Sequence, residues 1–179
     1  MFPSGLFDDC EAGLVGRSWA VAYVRSRQEG VYVSYLGTRD IPHYAPYRLQ
    51  SARSAGRVRS WRSPLFPGYV FVWGDDGQQS VARRSDVLVA MIPVLDQMTL
   101  LSELRSVHGV LRNGAPVIDR PDVQVGALVD IVDGALAGCR GTIERTRGAL
   151  RFVVSVSLLR RSIAVELDRD TVLPVRAAV

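Results

Sequence analysis

The residues able to do chemistry are few and scattered. The histidines are His43, beside a proline-rich extended segment, and His108, and neither has a carboxylate at a spacing that would make a general acid or base of it. Both read as packing or surface residues. Cys139 stands in Gly138-Cys139-Arg140-Gly141, where the guanidinium would favour the thiolate, but no histidine or second cysteine is near it in sequence. It reads as a small structural residue. The sequence holds no paired-cysteine or zinc-protease spacing, no phosphate-binding glycine loop and no dinucleotide fingerprint. The expectation is a protein that is not an enzyme and has no cofactor and no metal.

Two stretches concentrate chemistry of another kind. From Arg48 to Arg62 there are five arginines and no acidic residue. Arg53, Arg57, Arg59 and Arg62 would neutralise phosphates and attract nucleic acid without reading its sequence, or they coat a solvated loop. The second stretch is Pro64-Leu65-Phe66-Pro67-Gly68-Tyr69-Val70-Phe71-Val72-Trp73. Side chains alternate across a strand, so Tyr69, Phe71 and Trp73 share one face and Val70 and Val72 the other. Either both faces are covered, or one leaves an aromatic patch for a partner. The pattern alone tilts slightly to the first.

The elements that must position these residues follow from periodicity and turn chemistry. Trp19 to Val24 reads as a strand, and Ser26 and Glu29 have capping-box spacing for a helix ended by Gly37. His43 to Leu49 is extended, because Pro42 and Pro46 bias their predecessors away from helix. Gln50 to Ser63 is a basic hairpin or loop, and Leu65 to Trp73 is the strongest strand, closed by Gly74-Asp75-Asp76-Gly77. A short helix near Gln78 to Arg84 and a strand near Val87 to Ile92 follow. Thr99 opens an amphipathic helix with Leu100, Leu101, Leu104, Val107 and Leu111 on one stripe and Asn113-Gly114 as its stop.

Residues 115–122 carry two prolines without apolar periodicity and read as a linker. Beyond it come five short β runs: Ala127 to Val132, Gly141 to Glu144, Leu150 to Val156, Ile163 to Leu167 and Val172 to Val175. So many strands in so few residues argue for a small barrel. Phe152, Val153, Val154, Val156, Ile163 and Val165 disfavour helix there.

Composition sets the setting. No apolar run approaches the roughly 20 residues of a membrane helix, and residues 1–17 lack a secretory pattern. The two cysteines, Cys10 and Cys139, suit a reducing compartment, so the cytoplasm is expected. All 22 basic residues are arginine, an inventory that a GC-rich genome produces, and the formal net charge is +4. Residues 18–113 hold 12 arginines against 7 acids, a net of +5, and residues 123–179 hold 8 against 6, a net of +2. The first half is the candidate for touching nucleic acid.

Trp19-Ala20-Val21-Ala22-Tyr23, the helix entered through Arg27-Gln28-Glu29, and the block from Pro64 to Val72 resemble, in that order and spacing, the N-terminal domain of NusG-type factors. The second half resembles their KOW module. There the matching segments are Val125-Gly126-Ala127-Leu128-Val129-Asp130, Gly138-Cys139-Arg140-Gly141-Thr142-Ile143 and Ser162-Ile163-Ala164-Val165-Glu166-Leu167-Asp168.

The resemblance implies an α+β protein: a flexible tail over 1–17, an NGN-type α/β sandwich around an antiparallel sheet over 18–113, a linker over 114–122 and an SH3-like KOW β-barrel over 123–179. It implies a monomeric transcription elongation or antitermination factor. In the family, an apolar face of the first domain binds the clamp coiled coil of RNA polymerase's largest subunit and reduces pausing. Tyr23, Phe66, Pro67, Tyr69 and Phe71 occupy those positions, and Arg25 and Arg27 fall where specialised members contact non-template DNA; nascent RNA is the other nucleic-acid candidate. The barrel's usual partners are Rho and a ribosomal protein. Asp133-Gly134-Ala135-Leu136-Ala137-Gly138 and Leu158-Leu159-Arg160-Arg161 depart from the housekeeping pattern and imply a specialised paralogue. The competing expectation is an RNA-binding or ribosome-associated KOW protein with the first domain as scaffold.

Overall fold

The computed structural model describes residues 6–7, 16–54, 56–112, 117–121, 128–131, 138–146, 149–167 and 175–177. Expectations for Cys10, for the acidic residues near it and for residues 133–137 lie outside this set. The chain divides into two compact units, Met1–Gln97 and Met98–Val179.

In the first unit the elements are β1 (Ser18–Val24), α1 (Glu29–Gly37), β2 (His43–Tyr44), β3 (Tyr47–Ser54), β4 (Arg57–Pro64), β5 (Tyr69–Gly74), α2 (Asp76–Ala82) and β6 (Leu88–Pro93). Four strands form an antiparallel sheet in the order β2-β5-β1-β6, and β3 and β4 form a separate two-stranded hairpin. Alternation decides what each sheet face meets. Ala22, Val24, Val70 and Val72 bury against Tyr32, Leu36, Ile41 and Ala82, so both helices lie on that face. The Tyr32 hydroxyl donates to the Ala82 carbonyl at 3.1 Å and the Tyr35 hydroxyl to that of Val81 at 2.9 Å, which ties α1 to α2.

The capping chemistry differs from expectation. Gln28 occupies the cap of α1 and makes no side-chain cap bond, so the Ser26–Glu29 box is not formed. A capping box forms instead at α2: the Asp75 carboxylate accepts from the Gln78 N–H at 2.8 Å, and the Gln78 side chain accepts from the Asp75 N–H at 3.2 Å. The Gly74 to Gly77 stretch, expected as a turn, therefore holds the helix start.

His43 is buried, with Nδ1 2.8 Å from the Ile41 carbonyl oxygen. Burial lowers its pKa, outweighing the carbonyl contact, which raises it. An unfolded histidine binds a proton near pH 6.5 and the folded one resists it, so the stabilising contribution is complete above that pH and declines as pH falls below it. His108 shifts the same way, through burial and then Arg112. Urea unfolding is therefore expected to show lower stability at pH 5.5 than at 7.5. His43→Asn should remove its share of that difference, and an unchanged pH dependence in the variant would refute this assignment.

The second unit contains most of α3 (Gln97–Arg112) and the strands β7 (Val117–Pro121), β8 (Leu128–Ile131), β9 (Arg140–Thr146), β10 (Ala149–Val156), β11 (Arg161–Leu167) and β12 (Val175–Ala177). They pair antiparallel in the order β12-β8-β9-β10-β11-β7. Among the described residues no pairing of β12 with β7 closes this order into a barrel. β7 lies in the stretch expected as a linker and pairs with β11. The β-branched residues of β10 and β11 form the centre of this unit, with Phe152, Val154 and Ile163 buried.

α3 is fixed to this sheet. Ser106 Oγ accepts from the Arg140 N–H at 2.8 Å, and the Glu103 carboxylate accepts from the Ser157 N–H at 3.1 Å. Cys139 is buried, and a Cβ at Gly109 would lie only 2.6 Å from its sulfur, so the thiol fills a gap against the helix. Burial pushes the Cys139 thiol up, opposite to activation by Arg140.

Candidate functional site

One face of the first sheet is a row of opposed pairs: Trp19 with Trp73, Val21 with Phe71, and Tyr23 with Tyr69. Its two ends differ. At the tryptophan end, Phe7 packs on Trp19 at a ring separation of 6.4 Å and edge-on against Tyr44 at 5.3 Å. Leu6 and Phe7 are thus buried, within a segment expected to be a loose tail. At the other end, Tyr23 is 41% exposed and Tyr69 half-buried, with their rings 5.2 Å apart.

The five aromatic and proline positions expected at a docking patch therefore separate. Tyr23, Tyr69 and the exposed Pro67 lie together at the surface. Phe66 and Phe71 are buried, rings 6.0 Å apart and nearly perpendicular, and Phe71 also neighbours Tyr44 at 6.3 Å. The expectation that Phe71 stays free beside Tyr69 is corrected: the face they share is filled at the middle and at the tryptophan end, and opens only at the tyrosine end.

A turn holds the open end in place. The Tyr69 N–H donates to the Phe66 carbonyl at 3.0 Å, with Pro67 and Gly68 between them. Gly68 has φ +85°, the left-handed value that a type II turn needs after proline. Its carbonyl accepts from the Val24 N–H at 2.8 Å, and its N–H donates to the buried Glu29 carboxylate at 2.7 Å. Glu29, expected to cap its own helix, instead anchors this turn. No signal in the sequence linked residues 29 and 68, whose meeting is a tertiary event.

A Cβ at Gly68 would lie 3.0 Å from Tyr23 Cε2. Gly68→Ala is expected to cost at least about 1–2 kcal/mol for the left-handed backbone alone, and to displace the Tyr23 ring as well. In a domain of this size each kcal/mol lowers Tm by roughly 4–8 °C. A melting curve that matches the parent would show that the turn is not strained by a side chain.

Arg25 and Arg27 are exposed in the turn that follows Val24 at the end of β1, where the Gln28 N–H donates to the Arg25 carbonyl at 3.0 Å. Arg27 has φ +63°, a conformation glycine would adopt more cheaply. These two arginines thus stand at the tyrosine end of the sheet. The remaining four predicted nucleic-acid residues lie on the β3–β4 hairpin, all exposed. Its register, with Leu49 opposite Arg62, Ala52 opposite Arg59 and Arg53 opposite Val58, puts Arg57 and Arg59 on one face and Arg53 and Arg62 on the other. The hairpin is rooted beside the Pro67–Gly68 turn, since β4 ends at Pro64 and the Leu65 N–H donates to the Pro46 carbonyl at 2.8 Å.

Among the described residues no three His, Cys, Asp or Glu side chains gather as a metal site, and no helix is long and apolar enough to cross a membrane.

No curated protein matches the chain. Among solved structures it is similar to one described as "Domain interaction in Thermotoga maritima NusG", at 20% identity over 87% of this chain and 95% of that one, with TM-score 0.44. It is also similar to one described as "Crystal Structure of MjSpt4:Spt5 complex conformation A", at 11% identity over 89% and 97%, with TM-score 0.29. The sequence profile described as "Transcription termination factor nusG" matches residues 17–125, more than half of the chain and all of the sheet, turn and hairpin just described. The chain therefore belongs to the NusG family of transcription factors.

Proposed function

We propose that this protein is a transcription elongation or antitermination factor that docks on RNA polymerase through the tyrosine end of its first sheet. The observation that carries the reading is the exposed Tyr23–Tyr69 pair, set on a turn fixed by Glu29 while the rest of the same face is filled. Neighbouring aromatic rings on a fixed turn are suited to anchor an interface. In this proposal residues 18–113 bind the clamp coiled coil of the largest polymerase subunit. Tyr23, Pro67 and Tyr69 touch it, while Phe66 and Phe71 are buried against each other in the core. Arg25 and Arg27, at the same end, meet non-template DNA, and the hairpin arginines add attraction to nucleic acid.

Residues 123–179, as a KOW module, recruit a further factor. Rho and a ribosomal protein are the candidates that the family suggests, and the departures at 133–138 and 158–161 fit a specialised paralogue.

The test is capture of partners by the full chain, followed by competition with an isolated clamp coiled-coil fragment. Core polymerase subunits released by that fragment support the proposal. Recovery of ribosomal subunits without polymerase would favour a ribosome-associated protein and defeat it.

A further inference from the structure

We propose that the β3–β4 hairpin binds single-stranded RNA by stacking a base on Trp61. The proposal rests on the reading that the hairpin arginines meet nucleic acid, and it names the ligand and the residue that selects it. The chain has three tryptophans; Trp19 and Trp73 are buried, whereas Trp61 is 45% exposed on a two-stranded ribbon that pairs with no third strand among the described residues. An indole with nearly half its surface exposed offers an aromatic area to a ligand.

Its surroundings identify the partner. Cross-strand register places Gln50 directly opposite Trp61 and Ala52 opposite Arg59, and Arg57 and Arg59 precede Trp61 on the same face by strand alternation. An aromatic plane with guanidinium groups along one line is the arrangement that holds a single strand: every base has a face to stack, and each guanidinium meets a phosphate. A paired base offers no free face, so a duplex cannot use the indole in this way. No acidic residue lies between Tyr47 and Pro64, which fits a polyanion better than a protein surface of mixed charge. Small Ala52 leaves room beside the ring. Gln50 opposite it and Ser63 two residues along the strand both donate and accept, as a ribose 2′-hydroxyl requires, and this favours RNA over DNA.

The experiment uses the full chain without polymerase and measures binding of fluorescent 15-nucleotide oligouridine, oligodeoxyuridine and duplex DNA across a salt series. Oligouridine is expected to bind tightest and to quench the exposed indole. Trp61→Ala should weaken its binding by roughly 5- to 150-fold, the range for loss of one stacked base, with an unchanged melting curve, whereas Trp61→Phe should stay close to the parent. Arg57→Gln with Arg59→Gln should lower the slope of log affinity against log salt by about 1.4, for two phosphates on a single strand. Unaltered oligouridine binding by Trp61→Ala, or tighter binding of the duplex, would overturn the stacking site. Equal affinity for oligodeoxyuridine would overturn the assignment to RNA. Tyr69→Ala should bind oligouridine like the parent, and Trp61→Ala should still bind the clamp fragment, so failure here is distinct from failure of polymerase docking.

Discussion

Phe71→Ala is expected to destabilise the first unit by about 3–5 kcal/mol, the usual cost of emptying the space of a fully buried phenylalanine. Phe71 has no exposed surface and sits on the strand between β1 and β2, opposite Val21 on one side and Tyr44 on the other. Phe66 meets it edge-on, and Tyr44 beyond it carries Phe7, so truncation leaves a hole within a ring cluster already fixed on several sides. Interiors this closely packed relax only in part, which is why the cost exceeds simple transfer of the ring to water. At roughly 4–8 °C per kcal/mol the melting temperature should fall by more than 10 °C. A variant that melts like the parent would mean that Phe71 is not a core residue and would return it to the surface patch.

Tyr23→Ala and Tyr69→Ala are expected to do the opposite, leaving the fold nearly unchanged and weakening polymerase binding. Each ring already contacts solvent, so truncation opens no enclosed cavity. Aromatic anchors at interface centres commonly cost ~2 kcal/mol or more on removal, about 30-fold in affinity. The ring centroids lie 5.2 Å apart, so the two losses should not add: removing either tyrosine frees the other to move, and the double variant should lose less than the sum. Affinity for a clamp coiled-coil fragment, measured beside melting curves, separates the cases. Parental affinity in both single variants would sink the docking proposal even with stability intact. Loss of stability without loss of affinity would show that the tyrosines belong to the core.

Much of this protein was legible from its residues alone. Aromatic and β-branched runs at Trp19 to Val24 and at Tyr69 to Trp73 specify strands because that preference is carried by the residues themselves. The stripe Leu100, Leu101, Leu104 and Val107 specifies α3 for the same kind of reason, at a period of 3.6. The arginine-rich stretch without acids was legible as a basic hairpin or loop, of which the structure forms the hairpin, and the ordered motifs from Trp19 to Val72 were enough to indicate the family.

What only the tertiary structure decided was which side chains on those elements remain accessible and which distant groups meet. Tyr69 and Phe71 have the same alternation and the same face, yet one is half-exposed and the other buried, because coverage depends on Phe66, Tyr44 and their neighbours arriving from other segments. Glu29 looked like a helix cap because its spacing to Ser26 is local, whereas its actual partner, the Gly68 N–H, lies 39 residues away. The distribution of the arginines over the two hairpin faces likewise required the register of β3 on β4, since a shift of one residue would exchange every side chain between faces. Periodicity is written into neighbouring residues, but burial and partnership are set by long-range packing, which no local pattern encodes.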